Sequence, residues 1–155
     1  MHTGLRGVIL LKDNELTKAI LQHNFYWRDV AEASGDGVVK DYAAIERWGE
    51  IPNNVPCYMP AEWNKDFENV SVSDNRVEFS CSLKNYEGQI KHFVSKVLPH
   101  IADDWRLEEL YEGSSYSTLH SPLGEQKEFN LWNEYDVYKE QYLEPKEFTN
   151  VFDLI

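Results

Sequence analysis

YEGQIKHFVSKVLPHIADDWRLEELYEGSSYSTLH, running from Tyr86 to His120, is the stretch whose reading decides the fold. Ile90, Phe93, Val94, Val97, Leu98 and Ile101 fall at i, i+3, i+4, i+7, i+8 and i+11, an unbroken apolar face of a helix. Asn85 is placed to cap that helix, and Glu87 with Lys91 adds an i,i+4 pair on its outer side. Pro99 lies inside the periodic run, so a kink or a restart is expected in the last turn. Trp105 to Glu112 and Tyr116 to His120 then read as two strands joined around Gly113-Ser114.

Upstream, the helix needs a sheet to cover, and the chain supplies one. Leu5 to Leu11 (LRGVILL) is a short, nearly continuous apolar run that predicts a buried strand. Asp13 or Asn14 then caps a helix whose inner face carries Leu16, Ala19 and Ile20, with Asn24 as its stop. Val70 to Leu83 predicts a hairpin turning at Asp74-Asn75, two residues that tolerate positive φ. Its return strand alternates Val77, Phe79, Cys81 and Leu83 against Glu78, Ser80, Ser82 and Lys84, which reads as one buried and one wet face.

Residues 25–68 carry a weaker pattern. Gly35-Asp36-Gly37 marks a turn, Tyr42 to Trp48 reads as a short helix, and Pro52, Pro56 and Pro60 predict an irregular surface segment. This stretch is either a cover over the sheet or a recognition surface. The tail, 121–155, opens with Pro122 and Gly124 and becomes aromatic and acidic. Leu131, Tyr135, Tyr138 and Tyr142 are spaced for a helix face that Pro145 ends. Phe148, Val151, Phe152, Leu154 and Ile155 are expected to dock on the domain or on a neighbouring subunit, which allows a homodimer through the tail. The whole reads as a single α+β domain over residues 1–155. Its mainly antiparallel sheet has a ββαββ-like core, with one central amphipathic helix and residues 121–155 as a docked C-terminal extension.

Charge narrows the function. The 155 residues hold 27 acids against 15 bases, a net of −12, and residues 103–155 alone hold 13 acids against 4 bases. Such a surface repels nucleic acid and anionic membranes, and speeds encounter with a basic partner. Direct nucleic-acid binding and a membrane role are therefore not expected. Leu5 to Leu11 is too short for a signal peptide and is interrupted by Arg6, so a cytoplasmic location is expected. Cys57 and Cys81 are too few for a disulfide framework, and Cys81 sits in a strand pattern that packs it as a small apolar side chain.

No nucleotide, zinc-protease, CxxC or nucleophile-elbow motif is present, and no cofactor is implied. His92 and His100 have no acid or Cys at ligand spacing, and His120 with Ser117 does not read as an activated pair. Asp103-Asp104, Glu108-Glu109 and Glu134 with Asp136 are paired carboxylates, so an enzyme holding a metal ion is one alternative. Among 27 acids such pairs arise by chance, and no calcium-loop pattern accompanies them. Neither catalytic nor metal-ligating residues are assigned.

The reading that remains is a partner surface. Alternation along Trp105–Glu112 puts Arg106, Glu108, Leu110 and Glu112 on one side, the candidate wet face. Asp103, Asp104, Glu108, Glu109, Tyr111 and Glu112, with Trp132, Glu134, Tyr135 and Asp136 from the tail, are the expected contacts. Acids serve rapid encounter and rings serve slow release, which suits a basic protein partner. Small size, strong acidity and the absence of a catalytic motif resemble the immunity proteins of bacterial toxin–immunity systems. The local stretch that stands out is FVSKVLPHIADDWRLEELYEGSSYSTLH (Phe93–His120). That resemblance implies a cytoplasmic inhibitor of a cognate basic toxin, often a nuclease. The other alternative is a DNA-mimic or regulatory protein of phage or mobile-element origin.

Overall fold

The computed structural model describes residues 2–45, 51–53, 70–112, 114, 116–129 and 151–155. Its six strands are β1 (Thr3–Leu11), β2 (Val70–Ser73), β3 (Arg76–Leu83), β4 (Ala102–Tyr111), β5 (Ser117–Ser121) and β6 (Gly124–Phe129). They form one antiparallel sheet in the order β2-β3-β1-β4-β5-β6. Between β1 and β2 run α1 (Glu15–Gln22), α2 (Trp27–Ser34) and α3 (Gly37–Ala43). Between β3 and β4, Gln89–His92, a π turn at Phe93–Val97 and Leu98–Ile101 follow without a break and together make α4. The fold is α+β.

The apolar N-terminal run takes the most buried place. β1 lies mid-sheet, paired with β3 on one side and β4 on the other, so α4 crosses over it to connect them. This corrects the expected ββαββ arrangement: β1 separates the two hairpins, and β6 extends the sheet beyond them. Gly7 makes that close packing work. Its φ is +148°, and a Cβ there would lie 2.0 Å from the carbonyl oxygen of Arg106 on β4.

α4 and α1–α3 cover one face of the sheet. Leu5, Ile9, Val77, Phe79, Cys81, Leu83 and Leu107 from the strands meet Ile90, Phe93, Val97, Leu98 and Ile101 from α4 in one buried cluster. Pro99 cannot donate to the helix ladder, and its ring crowds the carbonyl four residues earlier. The wider π turn just ahead of it, closed by Leu98 N–H to Phe93 O, accommodates both. Asn85 does reach the helix: its Oδ1 accepts from Ile90 N–H at 3.0 Å. Asn14 caps α1 as expected, accepting from Thr17 N–H at 2.9 Å.

Residues 27–43 are more regular than their sequence suggests. Trp27 is fully buried, with ring centroids 5.9 Å from both Tyr42 and Phe93, and its indole N–H donates to Ile51 O. The expected Tyr42–Trp48 helix is instead α3, which starts earlier and ends at Ala43; Trp48 and residues 54–68 lie outside the described residues. Gly35, at φ +68°, ends α2, and Asp36 caps α3 by accepting from Val39 N–H at 2.9 Å. Asp36 also meets His100 Nε2 at 2.7 Å and so ties α3 to the end of α4.

The second sheet face is not wet, contrary to the alternation reading. Ser80 and Ser82 are fully buried, and Val8 packs with Val151 and Phe152, flanked by Leu10, Leu119, Leu154 and Ile155. Arg76 clamps this C-terminal segment. Its guanidinium donates to Ile155 O at 2.6 Å and to Phe152 O at 2.8 Å. The expected docking of Val151, Phe152, Leu154 and Ile155 is thus on the domain's own sheet. Tyr135, Tyr138 and Tyr142 lie outside the described residues.

Candidate functional site

β4 carries most of the expected contacts, and their burial differs sharply along it. Trp105 and Leu107 turn to the helix-covered face, while Glu108 and Leu110 turn to the second face and are also buried. Glu108 is 0% exposed. Its Oε1 accepts from Arg6 Nε and Nη2 at 2.8 Å, and its Oε2 accepts from Ser117 Oγ at 2.7 Å. The Arg6 guanidinium in turn lies 5.9 Å from the centre of the Phe152 ring. Glu108 therefore belongs to the interior and not to a wet face. Arg6 stands directly opposite it on β1, a neighbour that alternation along β4 alone does not show.

Asp103 and Asp104 part company with the other acids. Asp103 and Glu112 are nine positions apart along extended chain, about 30 Å. Asp103 is exposed; Asp104 is half-buried, bonded to Arg106 and to Trp105 N–H. The single acidic surface expected from residues 103–112 is thus two places at opposite ends of β4. Trp132, Glu134, Tyr135 and Asp136 lie outside the described residues.

At the distal end, register brings a compact group together. Leu107 pairs with His120 and Glu109 with Thr118 across β4–β5, and His120 pairs with Glu125 across β5–β6. Glu109, Tyr111, Thr118, His120 and Glu125 accordingly share one face. His120 is only 3% exposed, and its Nε2 lies 3.1 Å from Glu109 Oε1. A carboxylate can only accept, so Nε2 carries the proton of that bond. Nδ1 makes no hydrogen bond, and Glu125 Oε1 stands 3.9 Å from it. Tyr111, two residues beyond Glu109, and Tyr116, just ahead of β5, are half exposed. Glu112 follows the end of β4, where its carboxylate accepts from His2 N–H at 2.8 Å.

The sequence brings His120 into view only beside Ser117, and Glu125 not at all. Alternation of Thr118 with His120 was the available signal for the first. Pro122 and Gly124 mark the turn that delivers the second. Ser117 and His120 lie on opposite faces, each bonded to a different glutamate. Among the described residues, no three His, Cys, Asp or Glu side chains are grouped to hold a metal ion. Among them, too, no helix is long and apolar enough to cross a membrane. No protein-family model matches the chain, and comparison with curated proteins and with solved structures finds no match.

Proposed function

We propose that this chain is an acidic protein-binding inhibitor of the immunity type, which neutralises a cognate basic toxin, such as a nuclease, in the cytoplasm. The observation that carries the reading is the distal surface of β4–β5–β6. It brings Glu109 and Glu125 onto one face with the half-exposed Tyr111, and Glu112 follows at the end of β4, on a chain of net charge −12. Carboxylates at this end of the sheet steer a basic partner, and Tyr111 supplies large contact area at small entropic cost. Glu108, engaged inside with Arg6, is no part of that surface.

The test begins with capture of partners by the tagged full-length chain, followed by association kinetics on the captured protein. Changing Glu109, Glu112 and Glu125 together to Lys is expected to slow association about 10-fold or more and to flatten its salt dependence. An unchanged association rate and salt slope, or a captured partner of acidic charge, overturns the reading.

A further inference from the structure

The two edges of the sheet meet solvent differently. β6, at one edge, carries Glu125, Lys127 and Glu128, and charged side chains on an edge strand discourage pairing with another chain. β2, at the other edge, is Val70-Ser71-Val72-Ser73, with no charge, no proline and no register shift against β3. Ser71, Val72 and Ser73 are exposed, Val72 to 45%. Among the described residues β2 pairs with β3 alone. That hairpin turns over Asp74 and Asn75 and is closed by the pair Ser73–Arg76. Bonded and non-bonded pairs alternate along such a ladder, so Ser73 and Ser71 bond to β3 while the N–H and C=O of Val72 and Val70 point away from it. The side chains of Val70 and Val72 stand opposite Phe79 and Val77 on the helix-covered face. Unpaired backbone groups and an exposed apolar side chain thus lie together on this edge.

We infer that β2 is the strand through which two copies of this chain pair, antiparallel about a two-fold axis at Ser71. In that register Val70 of each copy faces Val72 of the other, and the outward backbone groups of both strands satisfy one another reciprocally. The four valines then share one face, and cross-strand pairs of β-branched residues stabilise a sheet. A register centred on Val72 would instead set Val70 against Asp74, whose φ of +53° takes it out of the strand. Charge favours a second copy over a basic partner here. β2 and β3 together carry one acid, Glu78, and it is paired with Arg76 at 3.0 Å. Asp74, in the turn, sits outside the paired residues, and β2 itself has no acid to steer a cation. The acid-rich edge at β6 is five strand spacings away, about 24 Å, well beyond a Debye length of about 8 Å. Two copies therefore meet where their mutual repulsion is least, and the β4–β6 surface of each stays free at the outer ends of the joined sheet.

An interface one strand wide gives a weak dimer, so sedimentation of the full chain from about 10 μM to about 1 mM is expected to show monomer giving way to dimer. Val72→Lys, at an exposed position, is expected to keep the far-UV spectrum of the parent and to raise the concentration needed for dimer at least about 10-fold. Cross-linking then locates the contact. Ser71 faces its own copy across the axis in a non-hydrogen-bonded pair, about 4.5 Å between Cα atoms, which a disulfide spans. Ser71→Cys is expected to give a covalent dimer on mild oxidation. Ser73→Cys, on the same face but about 14 Å from its own copy, and the parent, with Cys57 and Cys81, are the controls and are expected to give little. A chain still monomeric at about 1 mM, a dimer that Val72→Lys leaves as tight as before, or cross-linking no faster through Ser71 than through Ser73 overturns the assignment.

Discussion

Arg6 and Glu108 face each other across β1 and β4, 2.8 Å apart and both sealed from water, with Ser117 closing the far side of the carboxylate. Neither charge can relax into solvent if the other is removed. Glu108→Ala is expected to cost about 3–5 kcal/mol, because it removes the carboxylate that a buried guanidinium faces across the sheet. The double change Arg6→Met with Glu108→Leu is expected to recover most of that loss, since an apolar pair of similar volume avoids desolvating two ions. Urea unfolding followed by tryptophan fluorescence measures both. A single variant as stable as the parent would mean that the pair is not held as described.

Gly7 sits where three strands meet. A Cβ there would lie 2.0 Å from Arg106 O and 2.9 Å from Leu107 Cα, both backbone atoms that cannot rotate aside. Gly7→Ala is therefore expected to prevent correct pairing of β1 with β4 and to yield little soluble protein. Gly35→Ala is the control: its φ is also positive, but nothing lies within 4 Å of the new atom. There the loss is expected to be about 1 kcal/mol, the cost of a left-handed helix terminus without glycine. Thermal melts of the two variants should differ by far more than the shared sign of φ would suggest.

Phe152 closes the second sheet face over Val8 and Arg6 while being 2% exposed itself. Phe152→Ala is expected to cost about 3–5 kcal/mol through the cavity it leaves. Arg76→Ala removes two charge-assisted bonds to backbone carbonyls of the same segment and is expected to cost about 1.5–3 kcal/mol. Both changes should raise amide exchange in β1, which the segment packs against, more than in β2 at the edge of the sheet. Equal exchange in the two strands would argue against docking of residues 151–155 on this face.

What could be read from sequence was what is local. The α4 spacing, the Asn14 cap and the Asp74-Asn75 hairpin each lie within a dozen residues and came out in the structure as expected. Glu108 shows the limit. Its charge and position in an alternating strand gave a wet residue, because the arginine that accounts for its burial lies 102 residues away. α2 was missed and α3 was placed too late for a different reason. Each is seven or eight residues long and buries only two or three, too few to establish a helical period. β6, GEQKEF, has no apolar alternation and is a strand only because β5 offers it an edge. The candidate surface was correspondingly half legible: Glu109, Tyr111 and Glu112 were in view, and His120 and Glu125 needed the register.

The Asp36–His100 contact gives a pH dependence with a definite sign. Partial burial pushes the Asp36 carboxyl up, but the Val39 and Val38 N–H groups and His100 together outweigh it and hold the group below its ordinary value. A carboxyl depressed in the folded state adds stability above its unfolded value, about 4, and loses it as pH falls through the folded one. Asp36→Asn keeps an equally good cap and gives up the charge. The stability lead of the parent over Asp36→Asn should therefore be full near pH 5 and shrink steadily toward about pH 3. Asp36→Ala loses the cap as well, adding about 1 kcal/mol of loss that persists after the carboxyl is protonated only so far as the neutral acid still caps. Urea midpoints of the three proteins across that acid range decide it: a parent lead that widened on acidification would show that the carboxyl is not depressed by this contact.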